Sequence, residues 1–573
     1  MAISFRKSGW LFHDERHMFG KKQRCRVMMR AFLIKSVLLL LATSCQKKEA
    51  NKPNILFITT DYTRGVDVPM AGSPFLKMPT IDRLSREGAV FIRHSCVSPI
   101  CMPARATIVT GSYPHSHSLW DNTGISVKKE GKPFLITDLK KLGYKTVGIG
   151  KMHFSPFKAD YDYDHRITQE GKDRHYRDDD YERYLEERGS SRKDIKNLKG
   201  DRKVPRGQSF FDWPLDEDLH PDAFVAHKTI EAIRNGILKQ DSSWFMWVSF
   251  TGPHNPWNAP GRLTAVYRNM DNLPNGDFVK GELAAKPIDF SRHRYGYGGD
   301  LFEYYDSLPP LEKDKMRHEL RAAHYGSLTY IDELISEVIT ALEGRGLLEN
   351  TMIIFTSDHG SALFDNEMLH KGAHFPTQSL VPFVVWFPGF VKPGIRRHFT
   401  SHADVYATFM ELAGQQNPMA TEGESIVEMF RDPEAVVNDF VVIESALVTS
   451  IMDDNWLMGI HHISKETDLY DLKSDPTCHD NLAETAQYQQ VIEALKYKLV
   501  SWRKSKARGS QVSDDPFSWS LELGDSLEIA KYRKRYLNEY MRLTRVDRDR
   551  PGKTGGHAVK VLKNAGIYEP GYE

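Results

Sequence analysis

The sequence predicts an α/β fold, with a large central mixed, mostly parallel β-sheet flanked by helices and a smaller C-terminal α+β subdomain. Three observations carry this. Short apolar, β-rich runs end abruptly in polar residues, segments of helical period lie between them, and the pattern changes to short strands from about residue 436.

The first run, NILFITTD (54–61), closes on Asp61, as a buried parallel strand that delivers a carboxylate at its C-terminal end would. YKTVGIG (144–150) runs into Lys151 and His153, and WFMWVSF (244–250) runs into the TGPHNP turn with His254. MIIFTSD (352–358) ends on Asp358 and is followed by His359. Open α/β sheets place their sites beyond the carboxyl ends of strands, so these four strands are expected to aim their polar ends at one place. ATIVTG, ITDLKKLG (136–143) and LTYIDELISEVITALEGRG (328–346) read as helices, the last with a Gly stop. The charged, irregular stretch 158–240 reads as an insertion over the sheet with a solvated surface. Near the end, VVIES, NWLMGIHHI and TDLYDL suggest a small antiparallel sheet followed by helices.

The N-terminal segment reads as a processing signal. Arg24, Arg26 and Arg30 precede FLIKSVLLLLATS (32–44), whose apolar core is signal-peptide length and too short to span a membrane. Cys45 and a polar run follow. This resembles a bacterial lipoprotein signal in which Cys45 is acylated, although Ala42 stands where Leu is usual; an ordinary secretory signal with an incidental cysteine is the alternative. Met28 or Met29 is a more natural start than Met1. The expected organisation is a signal at 1–44, a linker at 45–52, a catalytic domain at 53–435 and a C-terminal subdomain at 436–573. The expected location is the periplasm or cell surface, with membrane attachment through the lipid only.

With 77 Lys+Arg against 76 Asp+Glu, the chain lacks the basic excess of a nucleic-acid binder. Its cysteines (Cys25, Cys45, Cys96, Cys101 and Cys478) form no CxxC pair, which argues against a disulfide framework or a cysteine zinc module. Cys96 and Cys478 read as structural thiols, with a disulfide as the alternative outside the cytosol.

SPICMPARATIVTG (98–111) contains C-x-P-x-R at Cys101, Pro103 and Arg105. Alone it also describes a buried cysteine in a Pro-kinked turn. In order along the chain, however, stand NILFITTD, CMPARATIVTG, GYKTVGIGKMH, SFTGPHNP, YGSLTYIDELI, FTSDHGS, HKGAHFPTQSLVPFVVWFPG and LYDLKSDPTCHDNLA. Together these resemble the type I, formylglycine-dependent sulfatases of the alkaline phosphatase-like superfamily, in the branch with Asp-His at the metal site.

The resemblance implies that a maturation enzyme converts Cys101 to formylglycine, whose hydrate attacks sulfur with one hydroxyl and expels sulfate through the other. It implies Arg105 holding the turn, Lys151 and Lys371 supporting the sulfate, His153 acting on the collapsing hydroxyl and His254 as general acid at the leaving oxygen. Asp61, Asp358, His359 and the modified Cys101 become ligands of one divalent metal. Ca2+ is the expected ion, with Mg2+ or Mn2+ as alternatives, since hard ions prefer oxygen and histidine is unusual for Ca2+. Tyr62 departs from the family, where an acidic or amide residue often follows the first aspartate. His374 and Trp257 are candidate substrate contacts. The expected substrate is a sulfated poly- or oligosaccharide, such as ulvan, a carrageenan-like chain or a glycosaminoglycan. The alternatives are a phosphonate or phosphodiester hydrolase with the same machinery, and a silent glycan-binding lipoprotein.

Overall fold

The computed structural model describes residues 52–122, 126–171, 178–197, 210–290, 299–415, 421–462, 464–507 and 511–523. The signal segment, Cys25 and Cys45 lie outside the described residues, as does the end of the C-terminal subdomain.

Ten short strands come first in the chain: β1 (Asn54–Thr60), β2 (Ala89–Phe91), β3 (His94–Ser95), β4 (Lys145–Gly150), β5 (His165–Thr168), β6 (Trp244–Ser249), β7 (Thr351–Ser357), β8 (Leu380–Val381), β9 (Phe383–Trp386) and β10 (Gly394–Arg396). Eight of them form one sheet in the order β10-β2-β9-β7-β1-β6-β4-β5. It is parallel except where β9 meets β2 and β7. β1 lies at its centre, parallel to β6 and β7, and is buried along its whole length. β3 lies between β8 and β11 (Thr400–Ser401) in a smaller sheet.

The period-2 alternation of β1 divides two apolar layers. Leu56 and Ile58 pack with Val248, Ile353, Phe224 and Ile331, under the helices Pro221–Arg234 and Pro310–Gly344. Ile55 and Phe57 face the other way, onto Phe245, Ile354, Ile108, Leu139 and Phe409. The helices on that side are Cys101–Thr110, Leu135–Lys141 and His402–Leu412.

Two expectations change. The helix expected at 328–346 begins at Pro310, whose missing N–H costs nothing in the first turn. The stretch 158–240 is not merely a solvated insertion. It supplies β5 at the sheet edge, the helix Pro221–Arg234, and the wholly buried Tyr181 and Leu185. Its charge is partly internal as well, since Arg192 Nη2 meets Asp179 Oδ2 at 2.7 Å with both side chains buried.

The C-terminal sheet is antiparallel, β12 (Val441–Glu444), β13 (Val448–Met452), β14 (Trp456–His461) and β15 (Thr467–Asp471) in sequence order. The helix Gln489–Lys506 lays Ile492, Leu495 and Leu499 against Val442, Ile460 and Leu469. A polar joint ties this sheet to the turn that follows Cys101–Thr110. His115 sits between Glu422 and Glu444, at 3.2 and 2.9 Å, and Arg503 donates to Glu444 at 2.7 Å. Among the described residues no helix is long and apolar enough to cross a membrane, and Cys96, Cys101 and Cys478 are free and buried.

Candidate active site

The catalytic sheet continues its hydrogen bonding beyond the strand ends. Asp61 N donates to Gly252 O at 3.1 Å, Asp358 N to Thr60 O at 3.0 Å, and Lys151 N to Ser249 O at 2.9 Å. Three of the four strand-end groups expected to meet are thus fixed by the backbone ladder itself, which holds them more firmly than free loops would.

Cys101 is the first residue of its helix, where unpaired N–H groups favour negative charge. Its Sγ lies 3.7 Å from each carboxylate oxygen of Asp61 and 3.2 Å from His359 Nε2, with Lys371 Nζ donating to it. Lys151 Nζ is 3.9 Å from the sulfur and ion-paired to Asp61. Arg105, one turn along, is wholly buried. Its Nε donates to Asp358 Oδ2 at 2.8 Å, and its Nη1 donates to Ser249 Oγ at 2.8 Å and to Lys151 O. One planar guanidinium therefore joins the ends of β4, β6 and β7, which a lysine could not do.

His359 is prepared as a ligand. Its Nδ1–H donates to Gly360 O at 2.8 Å, leaving the Nε2 lone pair toward Cys101. Asp61, Cys101, Asp358 and His359 are all buried, and one donor atom from each lies within 4.8 Å of the others. Two carboxylates and a ring nitrogen with its tautomer set to accept fit a divalent cation.

Charge in the site is strongly coupled. Burial opposes ionisation of Asp61, but Lys151, His254, Lys371 and His359 together hold it well below the usual carboxylate range. Burial, then Asp61, pushes the Cys101 thiol up to about 11. Burial with help from Lys371 takes His359 down to about 4, against the pull of Asp358. Burial and Lys151 also hold His153 and His254 well below the ordinary imidazole value.

His153 and His254 are the half-buried members of the site. The His153 N–H donates to Glu170 Oε2 at 2.7 Å. His254 Nδ1–H donates to Asn255 O at 2.7 Å. The turn before His254 is clasped by Asp222, whose Oδ1 accepts from Thr251 N and Gly252 N, both at 3.0 Å. A Cβ on Gly252 would fall 2.5 Å from Asp222 Oδ2, so only glycine lets the clasp close.

Sequence reasoning did not find roles for Asp222, which no motif marks, or for Ser249, which opens SFTGPHNP. It saw Tyr62 only as a missing ligand. Tyr62 is wholly buried, and its ring lies 4.5 Å from that of His254 and 4.9 Å from that of His359. Lys371 Nζ sits 4.4 Å above its centroid. The ring thus aligns three functional side chains from a strained backbone, at φ +84°.

Two expected substrate contacts are corrected. Trp257 is wholly buried among Leu301, Phe302 and Leu320, beside His370, so it offers no face to a sugar. His374 is also wholly buried, and its ring meets Asp468 and Phe290. Each stands three residues after a site residue, His254 or Lys371, and that nearness in sequence does not bring its side chain to the pocket.

The Sulfatase family model matches residues 53–415, and a model described as N-sulphoglucosamine sulphohydrolase, C-terminal, matches 359–505. An arylsulfatase of Clostridium perfringens is 26% identical over 485 residues, covering 80% of this chain and 96% of its own. A phosphonate monoester hydrolase of Agrobacterium radiobacter superposes with TM-score 0.66 at 25% identity, covering 79% of this chain and 96% of its own. A protein solved in complex with its substrate D-glucosamine-2-N,6-O-disulfate shares the fold, with TM-score 0.62 at 20% identity and coverage of 81% and 100%. The chain belongs to the Sulfatase family, and it is a sulfuric ester hydrolase with the alkaline phosphatase-like fold.

Proposed function

We propose that this chain is an exported sulfatase that removes sulfate from a sulfated poly- or oligosaccharide, using a formylglycine made from Cys101 and one divalent metal. The observation that carries the reading is the setting of Cys101. Its side chain stands at a helix N-terminus, against Lys371, Asp61 and His359, yet its thiol is pushed up to about 11. Such a thiol is a poor nucleophile at neutral pH. The surroundings suit an oxygen nucleophile instead, and the hydrate of an aldehyde at this position supplies one hydroxyl to attack and another to release sulfate.

Asp61, Asp358 and His359 would hold the metal, with Ca2+ the expected ion and Mg2+ or Mn2+ the alternatives. When bound, it acts as a Lewis acid that polarises sulfate oxygens. Lys151 and Lys371 neutralise charge on the transferring group from inside a dry site, where such contacts are strongest. Arg105 holds Asp358 in place through Nε. His254, neutral at rest with its proton on Nδ1, takes up a proton beside the incoming anion and donates it to the leaving oxygen from Nε2. His153 receives the proton that releases sulfate.

The saccharide reading is supported by the disulfated glucosamine bound to one structural relative and by the export signal in the sequence. The signal also supports acylation of Cys45 and a periplasmic or cell-surface location, to be checked by lipid labelling of wild-type and Cys45→Ser chains. The phosphonate monoester hydrolase relative favours a second reading, in which the same residues act on phosphorus.

The test is peptide mass spectrometry at Cys101 after co-expression with a formylglycine-generating enzyme, beside sulfate release from sulfated sugars and hydrolysis of a phosphodiester. A loss of about 18 Da at Cys101, with sulfate release abolished in Cys101→Ala, is the expected result. An unmodified thiol in an inactive chain would replace the enzyme reading by the silent glycan binder. Conversion with cleavage of only the phosphodiester would replace the substrate.

A further inference from the structure

A second group of buried ligating side chains lies apart from Cys101. His374, on the loop that follows Lys371, meets His461 at the end of β14 and Asp468 on β15, all with 0% exposure. His374 Nε2 lies 3.1 Å from Asp468 Oδ2, and His461 Nε2 lies 3.4 Å from Asp468 Oδ1. These are ion-pair distances, but neither contact has hydrogen-bond geometry. Both ring nitrogens of each histidine and both oxygens of Asp468 are buried without a hydrogen-bond partner. Leaving such atoms unpaired costs about 1–3 kcal/mol each, and more for a charge. Donor atoms that crowd together without pointing at one another are arranged around a point between them, and one from each residue lies within 4.8 Å of the rest.

Two further features belong to the same arrangement. His461 Nδ1, the nitrogen away from Asp468, lies 3.2 Å from Asp289 Oδ2. A carboxylate behind the ring is what fixes a metal-ligating imidazole in the correct tautomer. Gly459 stands opposite Asp468 in the β14–β15 register. A Cβ there would fall 2.3 Å from Asp468 Oδ1 and 2.6 Å from His374 Cε1, so the sheet leaves the cluster its space by omitting a side chain. A plain ion-pair network would account for His461 between two carboxylates and for His374 Nε2 beside Asp468, but it leaves His374 Nδ1 without a hydrogen-bond partner.

We propose that His374, His461 and Asp468 bind a structural transition-metal ion, zinc by the chemistry of the donors, with Asp289 orienting His461. Two imidazoles and a carboxylate are a borderline donor set that suits zinc better than calcium or magnesium. The two oxygens of Asp468, one toward each histidine, can supply two positions. Bound there, the ion ties the loop carrying Lys371 to the C-terminal sheet. The site needs no formylglycine, so it stands or falls separately from the proposed activity.

The test uses the full-length chain after exchange into zinc and then into calcium buffer without zinc. Elemental analysis of the wild type is expected to find about one equivalent of retained zinc, absent from His461→Gln and Asp468→Asn. To keep the two sites apart, a triple variant carrying Asp61→Asn, Cys101→Ala and His359→Ala together keeps only Asp358 of the active-site donors and is expected to retain that zinc. Replacing the zinc by Co2+ in this chain is expected to give the visible absorption of a four-coordinate nitrogen–oxygen site. Should His461→Gln fail to fold, the triple variant alone decides, through its zinc content and the rise of its melting temperature on adding zinc. A triple variant that retains no zinc, shows no such cobalt spectrum and melts at the same temperature with and without zinc overturns the proposal.

Discussion

Replacing His115 by Gln tests the joint between the catalytic and C-terminal sheets. His115 is buried between Glu422 and Glu444. Burial opposes its protonation, but Glu444 and Glu422 raise it from the ordinary 6.5 to about 9. Because the folded value lies above the unfolded one, the stabilisation is complete below pH 6.5 and fades as the pH rises through about 9. At about 1.4 kcal/mol per pH unit, the joint contributes about 3 kcal/mol. Glu444, against burial, is drawn down to about 2 by His115 and Arg503. That is the same attraction seen from the carboxylate and is not added; its loss begins as the pH falls below the ordinary 4.5. For a chain of 573 residues, at about 2.1 cal/mol/K per residue, 3 kcal/mol corresponds to about 3 °C. Melting curves of wild type and His115→Gln between pH 6 and pH 10 should therefore converge by about 3 °C as the wild type loses its advantage. Melting temperatures that run parallel across this range would refute the joint as a charged one.

Three other outcomes follow from the site. Tyr62→Leu removes the face beneath Lys371 and the ring beside His254, and it should lower kcat/KM by about tenfold, from about 1–2 kcal/mol of cation–π and ring contacts. Steady-state kinetics check this, with Tyr62→Phe expected to keep most of the activity. Asp222→Ala strips the clasp from the Thr251–Gly252 turn and should cost about 2–3 kcal/mol of stability and lower kcat through His254, with metal content unchanged. Denaturant titration and elemental analysis read both effects. Treatment with EDTA should abolish turnover and lower the melting temperature, because Asp61 and Asp358 are left buried beside each other; Ca2+ or Mg2+ should restore turnover.

The strands that carry the site were legible because each couples a fully apolar run to a polar end. Asp61, Lys151, His254 and Asp358 could therefore be placed together before any contact was known. The helix at Cys101 was legible through its motif. What remained hidden depends on contacts distant in the chain. Asp222 clasps a turn thirty residues away and lies in no recognisable pattern, and Ser249 receives Arg105 from another element, a contact that its place in SFTGPHNP does not declare. The region 158–240 misled because its apolar residues are scattered among charges that themselves pair internally. Trp257 and His374 misled in the opposite way, since nearness in sequence to site residues does not give a side chain access to the pocket. His115 and His461 carry no mark in the sequence, because a histidine's importance here comes from carboxylates that approach from other elements.

Cys101 has no exposed surface, and helix, sheet ends and Lys371 enclose it. Under the proposed conversion, the enzyme that rewrites this side chain would have to work on an extended peptide, before the surrounding strands assemble. Folding would then seal the product from scrutiny. A molecule that folded too early would keep its thiol, and a preparation would hold two populations with one backbone and different activity. The fraction active would measure a race between chain closure and modification, and slowing the closure, by cooling the culture or by weakening the joint at His115, would raise it.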